Sequence, residues 1–552
     1  MGLMKRLPGD DSPLFRLKEH RSHLVDEVSR RAFNNVVRRS RHEEGTGIEY
    51  VLNDAAYQEI ERLKREQGPE EEIRSISWWR RLSKRLATMS EKEKRRILWS
   101  LVESYAEDIA GHFNPWVYRM ATEALPIGLS LLFKTQDLPE FELSRGSEEI
   151  KRALRHVRDL SDRVVLDGPT ERLQQLADKG TLVFVPTHSS NMDSILVGWS
   201  LYAAGLPPVT YGAGKNLFTN PLTSFFMKNL GAYKVDRRLR HELYKKVLKL
   251  YSQVVIEHGY HSLFFPGGTR CRSNAVEQDL KLGLLGTSLQ AYIHNLQRDE
   301  EADPVYICPM TINYNLVLEG ESLIDDHFKR EGQGRYLHEV DEFNQLSTIA
   351  RFSLKTMRMD STTIIRFGEP LDCFGNEVRA DGESYDQRGR RVSRADYVRS
   401  ALEGDIVFDR ERDREYTRQT GARIAESFRK NTVLMPTQVV SWVLFERLQE
   451  RYPNWDVYRL IRFGAEETIT WEELHRGLKV LLDRLQALEA DGKVILSPYI
   501  HEHSAEEIAQ EGMTYLEMYH TPEVVQDWSD GVLIQKVELL YFYGNRVRSF
   551  DI

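Results

Sequence analysis

An α/β domain with a mixed sheet and flanking helices, set between helical N-terminal and C-terminal regions, is the fold that three features of this sequence predict. From about residue 160 to 375, short β-rich runs alternate with helical stretches, the pattern of an α/β domain. On both sides of that segment the apolar residues fall at three- and four-residue spacing instead. The chain has 552 residues, enough for three or four structural units at roughly 150 residues each.

Taken in order, residues 1–155 form a helical N-terminal region. In SEKEKRRILWSLVESYAEDIA the residues Ile97, Leu98, Leu101, Val102 and Tyr105 recur on one helical face. Arg and Lys outnumber acids over the first forty residues, which suits a solvated helix face or a surface that meets anionic lipid. Residues 156–375 form the α/β domain, with strands expected at TLVFVP, PVTYG, GAYKV, HSLFFP, VYICPMTI and TTIIRFG. Residues 376–415 are strongly charged and read as a surface connector or insertion. Residues 416–552 return to helix: in WEELHRGLKVLLDRLQALEADG, Leu474, Leu478, Leu481 and Leu485 repeat before an Asp-Gly stop.

Composition narrows the function classes. With Lys+Arg 76 against Asp+Glu 84 the net charge is −8, so whole-chain charge does not coat nucleic acid, and anion binding must come from local patches. The three cysteines, Cys271, Cys308 and Cys373, form no C-x-x-C pair, which removes a disulfide framework and a thiolate zinc site. No apolar segment precedes Asp10 and Asp11 as a secretory signal requires, so a cytoplasmic setting is expected. A membrane span needs about 20 apolar residues. The runs 124–133 (ALPIGLSLLF) and 431–445 (NTVLMPTQVVSWVLF) are too short or interrupted and read as candidates for interfacial contact.

The chemistry-bearing residues lie at strand ends. TLVFVP runs into THSSNMD, which places His188 on a loop and Asp193 in the first turn of the next helix. An Asp so placed can accept Nδ1–H and stabilise the imidazolium, leaving Nε2 to take a proton from a substrate hydroxyl. This is triad logic with the alcohol supplied by the substrate, although Ser189 and Ser190 stand beside the histidine. Between Lys215 and Lys249 the chain carries nine basic residues, Lys215 and Arg237 among them, against few acids, an anion-attracting patch. HSLFFPGGTRCRS then leads from a strand through Gly267-Gly268 to Arg270 and Arg272. Glycines let backbone approach an anion closely, and two guanidiniums can fork a phosphate. A general base and an arginine pair are what acyl transfer to a phosphorylated alcohol would need. YGAGKNL is no P-loop, since Val209 replaces its first glycine and Asn216 follows the lysine. Asp325, Asp326 and His327 read as surface charge.

In this order and at these spacings, HSSNMD, GAYKVDRR, FPGGTRCRS and VYICPMTINYN resemble the four sequence blocks of the glycerolipid acyltransferases. With the phrase NYNLVLEG and the helical flanks, the likeness is greatest to the large bacterial membrane-associated glycerol-3-phosphate acyltransferases. The resemblance implies His188 as catalytic base, Asp193 as its partner, and Arg270 and Arg272 as acceptor-phosphate ligands, and it places Arg237 in block two; Arg237 and Lys215, from the basic patch, are expected to add positive field. It implies that Lys281 belongs to the element after block three and that Pro309 shapes the acyl-donor side. Gly267 and Gly268 are expected to offer backbone N–H groups to the oxyanion. Where this chain has Gly267 the family usually has Glu, so a carboxylate contact to the acceptor hydroxyls is expected to be missing.

The expected reaction is acyl transfer from acyl-CoA or acyl carrier protein to the primary hydroxyl of glycerol-3-phosphate. No metal or redox cofactor and no nucleic acid are expected, and the enzyme is expected to attach peripherally, as a monotopic protein, to the cytoplasmic face of the cell membrane. The rival readings are an acyltransferase for a lysophospholipid, dihydroxyacetone phosphate or a non-phosphorylated lipid alcohol or amine, and a non-catalytic acyl-carrier- or lipid-binding protein.

Overall fold

Parallel strands joined by helices order the centre of the chain, as the alternation in the sequence requires. The computed structural model describes residues 12–42, 47–65, 74–122, 164–218, 221–332, 362–400, 404–518, 520 and 523–552. The interfacial candidate at 124–133 lies outside the described residues.

Helices α1 (Leu17–His42), α2 (Ile48–Arg65), α3 (Ile76–Arg85) and α4 (Glu91–Ile109), followed by the helical stretch 115–122, lie in the described N-terminal region. A capping box between Ser90 and Glu93 starts α4, satisfying backbone N–H groups that have no intrahelical partner. Leu98, Leu101, Val102 and Tyr105 are buried along its inner face. Three basic residues of α1 pair with other helices: Arg21 with Glu107, Arg31 with Glu257 and Arg39 with Glu242.

All six strands expected from the sequence are present, and a seventh, β1 (Val164–Asp167), was not anticipated. The others are β2 (Thr181–Pro186), β3 (Thr210–Gly214), β4 (Ala232–Val235), β5 (Ser262–Leu263), β6 (Val305–Asn313) and β7 (Thr363–Phe367). In the sheet, β6, β2, β5, β3 and β4 lie side by side and parallel. Strand β7 runs antiparallel to β6 and parallel to β1. The sheet is therefore mixed, with helices packed on it. In β2 and β6 every residue is buried, as expected for central strands covered on both faces.

Pro309 sits inside central β6, where a proline normally breaks a ladder. Its carbonyl accepts from Gly368 N–H at 2.8 Å, so its N atom, on the same strand edge, faces away from β2. On that edge β6 changes partner, pairing β8 (Leu371–Asp372) through Tyr306 and Ile307 and β7 from Met310 onward. The missing donor falls in the gap between the two ladders.

The charged stretch 376–415 continues the sheet in short hairpins. Through β8, β9 (Glu377–Val378), β10 (Ser384–Tyr385) and β11 (Arg391–Val392) it extends the sheet as an antiparallel meander, turning at Gly382 and Gly389, both with positive φ. The helix Arg410–Asn431 then packs against the helix Leu282–Leu296.

The second interfacial candidate, 431–445, is overturned as a membrane contact. It folds as a short strand followed by the helix Pro436–Arg451, whose Val439, Val440, Val443, Leu444 and Phe445 are fully buried. That helix is the centre of the C-terminal region, packed against Trp471–Ala490, Ala505–Met518 and the last helix, Val537–Arg548. Its length and apolarity came from being surrounded by protein. Leu474, Leu478, Leu481 and Leu485 face the same core. Gly544 lets the last helix approach closely, since a Cβ there would lie 3.1 Å from Trp442 Cα.

Candidate active site

In a parallel sheet the strands deliver their following loops to one edge, where ligands usually bind. Here β2 delivers His188, β5 delivers the Gly267–Arg272 loop, β3 delivers Lys215 and β4 delivers Arg237. The helix Asp193–Ala203 starts at its acidic residue, so the carboxylate of Asp193 turns back under the preceding loop.

Asp193 is fully buried. Its Oδ2 accepts from Ser189 N at 2.7 Å, Ser190 N at 2.9 Å and His188 Nδ1 at 2.8 Å, and its Oδ1 accepts from Tyr314 Oη at 2.5 Å. An ionised carboxylate only accepts, so the shared proton lies on Nδ1 and Nε2 is left as the basic nitrogen. The imidazole stacks on Phe265, with ring centroids 4.2 Å apart, which fixes its plane. Its side chain is 14% exposed, enough for the outer edge of the ring to meet a substrate.

The adjacent serine hydroxyls are both engaged in hydrogen bonds. Ser190 Oγ donates to Glu319 at 2.9 Å, and Ser189 Oγ accepts from Arg546 Nη2 at 3.2 Å, both in buried positions. Glu319 also accepts from Asn191 N at 3.0 Å and lies 3.4 Å from Arg270 Nη1, so one carboxylate ties the base loop to the arginine loop. Burial pushes the Glu319 carboxyl up, against the opposing pull of Arg270 and the two donors.

Gly268 has φ +73°, the left-handed region that favours glycine, and its N–H closes a turn onto Phe265 O at 3.0 Å. That turn takes the Gly268 N–H out of the oxyanion role expected of it. Arg272 donates to Thr269 Oγ1 at 3.2 Å and stands 3.8 Å from Asp326, one of the acids read as surface charge. Lys281 folds over the glycine turn: a Cβ on Gly268 would fall 2.8 Å from its Nζ. His188 O accepts from Cys271 N at 2.7 Å, so the two loops are joined by backbone as well.

The structure thus brings His188, Asp193, Gly267, Gly268, Arg270, Arg272 and Lys281 together. The remaining expected residues differ. Lys215 forms an ion pair with Asp236 at 3.3 Å, Arg237 is exposed in the turn after β4, and Pro309 is buried inside β6. Four residues of the site escaped the sequence reading: Tyr314, Glu319, Glu277 and Arg546. Tyr314 and Glu319 lie in NYNLVLEG, where polar groups within an apolar run were the available signal. Arg546 comes from the last helix and is buried, with its guanidinium also reaching Asn274 Oδ1 at 3.2 Å. Desolvation lowers its pKa, opposed by the nearby Cys271, Glu277 and Asp193.

The mixed sheet carries a histidine oriented by a buried aspartate and an arginine loop on its carboxyl edge, and residues 169–313 match the family model described as Acyltransferase. Over this segment the chain is similar to bacterial glycerol-3-phosphate acyltransferases. The glycerol-3-phosphate acyltransferase of Aeromonas hydrophila is 31% identical over 203 residues, 36% of this chain and 23% of that protein. That of Xanthomonas campestris is 29% identical over 208 residues, 38% of this chain and 22% of that protein. The match therefore spans less than a quarter of the length of these relatives. Among solved structures, the 1-acyl-sn-glycerophosphate acyltransferase of Thermotoga maritima aligns with 14% identity and a TM-score of 0.24, covering 56% of this chain and 92% of that one.

Proposed function

We propose that this chain transfers a long-chain acyl group from a thioester, acyl-CoA or acyl carrier protein, to the primary hydroxyl of glycerol-3-phosphate, giving lysophosphatidic acid. The single observation that carries the reading is the Asp193–His188 pair facing the Arg270–Arg272 loop across shared hydrogen bonds. His188 Nε2 takes the hydroxyl proton as the oxygen attacks the thioester carbonyl. The tetrahedral intermediate collapses with cleavage of the C–S bond, and the imidazolium returns the proton to the departing thiolate. Asp193 stabilises the imidazolium throughout, and prior binding of both substrates provides the entropic part of the acceleration. Arg270, Arg272 and Lys281 hold the phosphate.

The reading includes peripheral attachment to the cytoplasmic face of the cell membrane, because a long-chain product is insoluble in water. Supporting it, Trp116 and Phe225 are exposed at 65% and 43%. The two segments that carry them adjoin, with Asn114 N donating to Asn229 O at 2.9 Å. The helical stretch 115–122 leads directly into the apolar run 124–133. Among the described residues no helix is long and apolar enough to cross a membrane.

Release of free thiol from a long-chain acyl thioester, with and without glycerol-3-phosphate, tests the reaction. Release that depends on the acceptor and yields an acylated glycerol phosphate supports it. Release only with another alcohol, or none with any, rejects it.

A further inference from the structure

Gly267 stands where the resemblance leads one to expect a glutamate, yet the site does not lack a carboxylate. A Cβ built on Gly267 would overlap Glu277 Oε1, and its three nearest atoms all belong to the Glu277 carboxylate. The same carboxylate accepts from the backbone N–H of His188 at 3.3 Å through Oε2. We propose that Glu277 is the specificity-determining carboxylate of the acceptor side, reaching from ten residues downstream into the place a side chain at 267 would take, where it binds the inner hydroxyl of a polyol phosphate.

The chain path explains how this works. Gly267 lies two residues after Phe265, which stacks on the base, and three before Arg270, so a group held over it falls along the loop between base and phosphate ligands. Asn274 takes φ +60°, turning the chain so that residue 277 comes back over residue 267. The last helix and the residue after it clamp this return: Asn545 Nδ2 donates to Ser273 O at 3.0 Å, Arg546 to Asn274 Oδ1 at 3.2 Å, and Val276 N to Ser549 Oγ at 2.9 Å. Such bracing orders the segment before substrate arrives.

The chemistry of the group fits the task. Burial pushes the Glu277 carboxyl up to about 8, with Asp193 adding repulsion against the opposing His188 N–H and Arg546. Near neutral pH a carboxylic acid both donates to and accepts from a hydroxyl, and it places no full negative charge beside a phosphate.

This inference rests on the proposed acyl transfer, and the experiment separates the two. The wild type, Glu277→Ala, Glu277→Leu and the double variant Gly267→Glu/Glu277→Ala are assayed with glycerol-3-phosphate and with 3-hydroxypropyl phosphate, which lacks the inner hydroxyl. The wild type should prefer glycerol-3-phosphate in kcat/KM. Removing the carboxylate should shrink that preference by about tenfold or more, because the site's partner for the hydroxyl is gone. The KM for the acyl donor should not change. Glu277→Leu keeps the volume and serves if the Ala variant folds poorly. The double variant should regain preference, since Gly267 has no positive φ to oppose a side chain. An unchanged ratio in folded Glu277→Ala or Glu277→Leu overturns the proposal while leaving the acyl-transfer reading intact. A wild type that acylates neither compound overturns both.

Discussion

Asp193 does two jobs that a pair of substitutions can separate. Its carboxylate accepts from Nδ1 of His188, the proposed catalytic base, and it also satisfies the backbone N–H groups of Ser189 and Ser190, which are 3% and 2% exposed. Asp193→Ala leaves both amides and the Tyr314 hydroxyl without this acceptor. At ~1–3 kcal/mol for each buried group left unsatisfied, the two amides alone cost about 2–6 kcal/mol. That is a large fraction of the roughly 5–15 kcal/mol that holds a domain folded. Asp193→Asn should be far milder for stability. Its amide oxygen can keep the three donors that meet Oδ2, and its NH2 can donate to a reoriented Tyr314 hydroxyl. What Asn cannot do is carry the charge that stabilises the imidazolium, so turnover should fall by about a hundredfold or more. Urea denaturation gives the first quantity and acceptor-dependent thiol release the second. A folded Asp193→Asn protein with a near-wild-type rate would refute the charge-stabilising role. An Asp193→Ala protein as stable as wild type would refute the structural one.

Other outcomes follow from the same geometry. His188→Ala should fold normally and still bind acyl thioester while losing at least about a hundredfold in rate, which equilibrium binding and single-turnover assays distinguish. Arg270→Ala and Arg272→Ala should raise the KM for glycerol-3-phosphate more than that for the donor, and lysine should rescue only partly because a point charge does not fork two oxygens. Burial pushes His261 down to about 4 from 6.5, and its Nδ1 accepts from Leu182 N at 3.0 Å. The unfolded chain therefore takes up the proton first, so stability is lost as pH falls from about 6.5 toward 4. The denaturation midpoint of His261→Asn should vary less across that window. Sedimentation with anionic and zwitterionic vesicles tests membrane attachment. Binding at about 1 kcal/mol per surface basic residue should weaken in high salt, and equal binding to both lipids at all salt concentrations would remove the electrostatic part.

The strands of the central domain were legible because burial on both faces forces continuous apolar runs, and their loops were legible because glycine, histidine and arginine seldom follow such runs without a reason. His188, Asp193, Arg270 and Arg272 could all be placed on one edge from that alone. Burial by distant elements was not legible. The run 431–445 has the apolarity of an interfacial segment, and only the helices packed around it show that protein, not lipid, surrounds it. The stretch 376–415 carries so many charges that its hairpins, two residues per strand, leave no periodicity to detect. Lys215 was expected to add positive field to the site, and the Asp236 carboxylate 3.3 Å away offsets its charge.

The clearest limit of local reading is the carboxylate at the acceptor side. A motif comparison counts the side chain at position 267 and finds none, whereas chemistry depends on which atoms occupy the space. Gly267 leaves that space open, Asn274 turns the chain back toward it, and Glu277 fills it. The turn is held by Asn545, Arg546 and Ser549, which are about 270 residues further along the sequence. Arg546 also reaches Ser189, next to the base. The last helix therefore braces both halves of the site, and its substitutions should act on catalysis without touching substrate. Arg546→Met, which keeps much of the volume but none of the hydrogen bonds, should lower kcat and blunt the preference for glycerol-3-phosphate together. A variant that lowered stability alone, with kcat and acceptor preference intact, would show the C-terminal region to be a neighbour of the site and not a part of it.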